Sequence, residues 1–113
     1  MRIPLKVDVI RDRGALGRVV EDGIVENVYR LQIMNTQEAF RRFRVEVKGI
    51  EGIAIASEVV AEVLGATARV IPVRVRVPAG AGKPGTNKIE FKVSAINHDD
   101  VAVREKSVFL IPR

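Results

Sequence analysis

The sequence predicts an all-β fold, an immunoglobulin-like sandwich of seven to eight antiparallel strands without a disulfide. Three observations lead there. Apolar residues recur at every second position through most of the chain, the mark of half-buried strands. Clusters of turn-forming residues interrupt these runs at short intervals. The 113 residues, 47% hydrophobic and 29% charged, suffice for one core, so residues 1–113 read as a single domain.

The elements follow in order. Leu5, Val7 and Val9 alternate with Lys6 and Asp8 in a first strand. Arg13-Gly14-Ala15-Leu16-Gly17 and Glu21-Asp22-Gly23 then punctuate a long connection. Tyr29, Leu31 and Ile33 alternate with Arg30 and Gln32, and Asn27 and Asn35 flank them as candidates for bonding to loop backbone. After Asn35-Thr36-Gln37-Glu38, Phe43, Val45 and Val47 alternate with Arg42, Arg44, Glu46 and Lys48. Gly49-Ile50-Glu51-Gly52 makes a turn, and Ile53 and Ile55 form a short piece beyond it.

Ser57–Gly65 admits two readings. Ser57 could cap a helix with Val59, Val60, Val63 and Leu64 as its apolar stripe and Gly65 as its stop. The segment is short for a stable helix, and its three valines favour a strand, which we place at Val59–Leu64. A short turn leads into the strand Ala68–Val77, with Ile71, Val73, Val75 and Val77 inward. Pro78–Gly85 is a loop. Lys88–Ala95 turns Ile89, Phe91, Val93 and Ala95 to one face. Asn97-His98-Asp99-Asp100 reads as a turn, and Val101–Leu110 as a last strand whose pattern slips between Val103 and Val108, where a bulge or twist is expected. The five aromatic rings, four Phe and Tyr29, are expected in the core.

Composition narrows the chemistry. The absence of cysteine excludes a disulfide framework, a Cys-ligated zinc or iron–sulfur site and a Cys nucleophile. His98 is the single histidine. No apolar run reaches the roughly 18 residues of a membrane helix, and the N-terminus lacks the apolar stretch of a signal peptide, so a soluble domain is expected. The net charge of +5 invites a nucleic-acid reading, but the cations are interleaved with carboxylates and aromatic residues are scarce. The chain is therefore not expected to bind nucleic acid.

No motif rises to a catalytic site. Gly80-Ala81-Gly82-Lys83-Pro84-Gly85-Thr86 resembles a phosphate-binding loop only superficially. Val77 stands where the first glycine is required, Pro84 stands where the hydroxyl residue is required, and a strand follows instead of a helix. His98-Asp99-Asp100 offers one nitrogen and two carboxylates, a donor set that reads more simply as a turn. Ser57, Ser94 and Ser107 have no base near them in sequence. No catalytic, cofactor-binding or metal-binding residue is assigned. The candidate interaction surface is Arg11, Asp12 and Arg13 with His98, Asp99 and Asp100, two loop-end clusters of a kind that sandwiches use for contacts.

Several stretches together resemble one family. Pro4–Arg13 (PLKVDVIRDR) and Asp22–Asn35 (DGIVENVYRLQIMN) are the most specific. Val47–Gly52, Val73–Pro78, Pro84-Gly85 with Ile89-Glu90-Phe91, and Val103–Phe109 extend the likeness over nearly the whole chain. It is similar to the C-terminal immunoglobulin-like domain of FixG/CcoG-type cytochrome c oxidase accessory proteins. The resemblance implies a parent protein of bacterial inner membranes with membrane helices and Cys-ligated iron–sulfur clusters, active in assembling cbb-type cytochrome oxidase and in copper handling. It implies an accessory binding or scaffolding domain on the periplasmic side. It implies a protein partner, either an oxidase subunit, a copper carrier or the parent's own membrane part. The clusters would belong to the parent, with no cofactor in this chain. A free-standing adhesive or carbohydrate-associated sandwich is the alternative, and a basic nucleic-acid binder ranks behind it.

Overall fold

The computed structural model describes residues 5–11, 18–37 and 41–112. Among the described residues alternation becomes nine strands: β1 Leu5–Arg11, β2 Arg18–Val19, β3 Val25–Asn35, β4 Arg41–Lys48, β5 Ala54–Ile55, β6 Val60–Val63, β7 Thr67–Val77, β8 Gly85–Ala95 and β9 His98–Ile111. Seven of these have four residues or more, matching the expected seven to eight, and β2 lies in the stretch that reads as connection. One sheet has the order β1-β3-β7-β5, with β2 continuing along β3 beside β1. The other has the order β6-β4-β8-β9, and every pairing is antiparallel.

The odd-numbered residues of β3, β7 and β8 face inward, as a period of two requires. Tyr29, Leu31, Ile33, Val73, Val75, Val77 and Phe91 are essentially inaccessible to solvent, as are Phe43 and Phe109. The Tyr29 and Phe91 rings meet edge to face, centroids 5.0 Å apart at 69°, a geometry that contributes about 0.5–1.5 kcal/mol beyond burial. The rings of Tyr29, Phe43, Phe91 and Phe109 are thus in the core as expected, and Phe40 lies outside the described residues.

Ser57–Leu64 contains a strand and not a helix. Ala61 and Val63 point inward from β6, while Val59, Val60 and Leu64 remain exposed. A helical stripe would have put Val59, Val60, Val63 and Leu64 on one face, whereas the pleat divides them.

Two other expectations are corrected. The turn before the last strand is only Ile96-Asn97, and His98–Asp100 already belong to β9. Asn97 adopts φ 68°, a conformation asparagine tolerates better than most residues. The irregularity in β9 also lies earlier than expected. Register runs unbroken from Gly85 opposite Ile111 to Ser94 opposite Ala102, then shifts so that Ala95 faces His98. The bulge therefore falls at residues 99–101. The slip between Val103 and Val108 arises because Glu105 and Ser107 occupy inward-side positions of an edge strand, opposite Phe91 and Ile89.

Asn27 bonds the backbone of an edge strand and not of a loop, whereas Asn35 bonds both an edge strand and the loop that follows it. The Asn27 amide donates to the Leu110 carbonyl (2.9 Å) and accepts from the Leu110 N–H (3.0 Å), imitating a missing neighbour strand. The Tyr29 hydroxyl donates to the Val108 carbonyl at 2.8 Å. Together they tie the free edge of β9 to the opposite sheet. At the other end of β3, Asn35 donates to the Val63 carbonyl of β6 (3.2 Å) and accepts from the Gln37 N–H (3.1 Å).

Candidate interaction surface

In the two clusters that the sequence singles out, the structure describes the backbone of Arg11 and of His98–Asp100. Arg11 closes β1 opposite Tyr29, whose hydroxyl reaches Val108 of β9. Val108 pairs with Lys88 and His98 pairs with Ala95, so the levels of Arg11 and His98 are seven residues apart along β8. At strand rise that is roughly 23 Å. Asp12 and Arg13 lie outside the described residues, as do the side chains of Arg11 and His98–Asp100. No group of three or more His, Cys, Asp or Glu side chains gathers among the described residues.

The glycine-rich loop is likewise structural. The Ala81 N–H donates to the Pro78 carbonyl, and Asn87 bonds both the N–H and the carbonyl of Lys83. β8 then starts at Gly85 with φ 96°, so a strand follows the loop.

Buried polar side chains hold the fold together. Among the described residues, no buried side-chain nitrogen or oxygen lacks a hydrogen-bond partner. Glu26, on the outward side of β3, is 2% exposed and receives the Arg76 Nε at 2.8 Å from β7. A charge-assisted bond of this kind compensates the carboxylate for lost water.

The two outward faces differ in chemistry. On the β1-β3-β7 face the register aligns Ile10 with Arg30 and Pro72, and Lys6 with Met34 and Ala68. Ile10 and Val70 are about half exposed there. On the other face, β4 turns out Arg42, Arg44, Glu46 and Lys48, and β8 turns out Lys88, Glu90 and Lys92. β9 adds Arg104 and Lys106, and β6 adds Glu62. Seven cations thus face three carboxylates on one sheet of a chain whose net charge is +5. Sequence alternation placed the β4 and β8 residues outward, but not Glu62, Arg104 or Lys106. It could not place them beside one another, because strand order is not local information.

Between the edges of the two sheets lies a groove lined by Ser57, Val60, Glu62, Arg69, Ile71 and Arg74. It opens because β5 accompanies β7 only at Val75 and Arg76. The Arg74 carbonyl accepts from the Ala56 N–H, and the Arg74 N–H donates to Ser57 Oγ, so alternate peptide groups of β7 face this edge. Two residues earlier Pro72 occupies the same side and offers no N–H, which blunts the uncovered edge against another strand.

Comparison with known proteins adds the family. Residues 1–112 match the family described as "IG-like fold at C-terminal of FixG, putative oxidoreductase". A crystal structure of a FixG-related protein from Vibrio parahaemolyticus superposes with a TM-score of 0.83 at 23% identity, covering 96% of each chain. At that identity the likeness speaks for the fold. Among curated proteins none matches this sequence.

Proposed function

This chain belongs to the FixG C-terminal immunoglobulin-like family, and from that premise we propose that it is a non-catalytic docking and scaffolding domain of a membrane-bound iron–sulfur protein. The parent would act in assembling cbb-type cytochrome oxidase and in copper handling. The domain would stand on the periplasmic side of the bacterial inner membrane. Its partner would be a protein: an oxidase subunit, a copper carrier or the membrane part of its own parent. Iron–sulfur clusters would reside elsewhere in the parent, since this sequence contains no cysteine to ligate them.

The observation that carries this reading is how the buried polar groups are used. Asn27, Tyr29 and Asn35 bond edge-strand backbone, and Glu26 pairs with Arg76. The interior therefore maintains a rigid sandwich, and function falls to the outer surfaces.

The test uses the parent protein with and without residues 1–113. Deleting the domain should lower the amount of assembled oxidase while leaving the parent's iron–sulfur spectrum unchanged. Normal oxidase levels after deletion would end the scaffolding reading. Titrating the isolated chain with copper in both oxidation states, followed by amide shifts, separates docking from copper carriage. No localised shifts are expected, and a tight response centred on His98–Asp100 would move this domain into the copper route.

A further inference from the structure

We propose that the outward face of the β6-β4-β8-β9 sheet docks an acidic protein segment that presents two carboxylate clusters about 13 Å apart. This deepens the docking reading and rests on it.

The pattern of ion pairs on that face supplies the argument. Glu90 lies at its centre and is shared by Lys48 and Arg104, each 3.6 Å away. Arg42 is paired with Glu62 at 3.1 Å. Among the described residues no ion pair engages Arg44, Lys92, Lys88 or Lys106. These four fall into two diagonal pairs. Arg44 faces Ser94, next to Lys92 on the same side of β8. Lys106 faces Glu90, next to Lys88. Diagonal neighbours in a sheet are about 7–8 Å apart, within joint reach of one carboxylate cluster. Lys88 and Lys92 are four residues apart on β8, which sets the spacing between the two positive foci.

Each pair also borders a shallow depression. One is lined by Arg44, Lys92, Ser94 and Asn97, with Glu46 opposite Lys92 at its side. The other is lined by Lys88, Ile89, Lys106, Ser107 and Val108, with Glu90, already engaged by Lys48 and Arg104, between the two lysines. Unpaired like charges held side by side repel each other, and an anionic partner relieves that repulsion.

The remaining chemistry favours a protein over other polyanions. No aromatic side chain projects from these outward positions to stack on a base. Glu46, Glu62 and Glu90 interrupt the cations, whereas adsorption to an anionic bilayer relies on uninterrupted Lys and Arg clusters. A second copy would present the same excess of positive charge. A patterned acidic surface can match both the cations and the carboxylates between them, which gives register as well as attraction.

The test titrates the 113-residue chain with synthetic peptides bearing two Glu-Glu pairs. In one the spacer sets the pairs about 13 Å apart, and in the other it is long and flexible. Amide shifts should map to the outward residues of β4, β8 and β9, with the shorter peptide binding more tightly. Reversing either focus, by Arg44→Glu with Lys92→Glu or by Lys88→Glu with Lys106→Glu, should weaken binding by about ten-fold. Lys6→Glu with Lys83→Glu removes the same charge elsewhere and should cost less than about two-fold. Equal weakening by the control pair would reduce the effect to net charge and overturn the proposal. So would tighter binding to phosphatidylglycerol vesicles or to single-stranded DNA. Placed in the parent, the face variants should lower oxidase assembly as domain deletion does. Loss on deletion but not on charge reversal would remove this face and keep the docking reading. No loss on deletion would remove the docking reading, while the peptide titration would still judge the face.

Discussion

The sandwich has two seams where its sheets meet edge to edge, and they are built differently. At the β1/β9 seam, Asn27 and Tyr29 reach across to bond Val108 and Leu110, so the edge of β9 is satisfied from the opposite sheet. At the β5/β6 seam the edge strand is broken. Its first part, Ala54–Ile55, pairs with β7 and its second, Val60–Val63, pairs with β4. The crossing leaves a groove and a stretch of β7 without a neighbour strand among the described residues. One seam is closed by polar side chains that imitate a strand. The other is left open and made safe by a proline. An edge can thus be managed by satisfying its peptide groups or by removing one.

The comparison can be broken most forcefully at Asn27. Asn27→Ala strands both the N–H and the carbonyl of Leu110, and should cost about 2–3 kcal/mol in chemical denaturation. Amide exchange should rise selectively at the end of β9. A variant that loses no more stability than an exposed substitution would show that the seam is not held there. Asn35→Ala removes one bond to Val63 and one from Gln37, and about 1–2 kcal/mol should be lost. Tyr29→Phe keeps the ring against Phe91 and deletes only the bond to Val108, so about 1 kcal/mol should be lost in the same denaturation measurement.

The open seam predicts smaller effects of opposite sign. Ala66, in the turn from β6 to β7, adopts φ 54° while its N–H donates to the Gln37 carbonyl. Ala66→Gly removes the side-chain clash of that conformation and should raise stability by about 0.5–1 kcal/mol, read as a higher denaturation midpoint. Pro72→Thr restores an N–H on the uncovered edge. Stability should hardly change, but sedimentation should reveal more concentration-dependent association than in the native chain. A strictly monomeric variant would mean that something other than Pro72 guards this edge.

Much of this was legible in the residues. Ile71, Val73, Val75 and Val77 point inward as their alternation requires, and so do Ile89, Phe91 and Val93. The resemblance carried by Pro4–Arg13 and Asp22–Asn35 agrees with the family match over residues 1–112. The candidate surface was far less legible. Arg11–Arg13 and His98–Asp100 stood out because charged residues cluster there in sequence. Clusters made by strand pairing leave no such trace. Arg44 and Lys92 are 48 positions apart and become neighbours only through the β4–β8 register. Asn27 and Leu110 are 83 apart, so nothing local marks that asparagine as the partner of a distant edge.

The sequence by itself determined the class of fold, the inward face of the long strands other than β9 and the exclusion of cysteine chemistry. Each of these depends on residue type and a period of two, which are local properties. Tertiary structure alone decided which edges meet, which seam stays open and which cations share a face. Those depend on strand order and register, which follow from packing the whole core at once and not from any single segment.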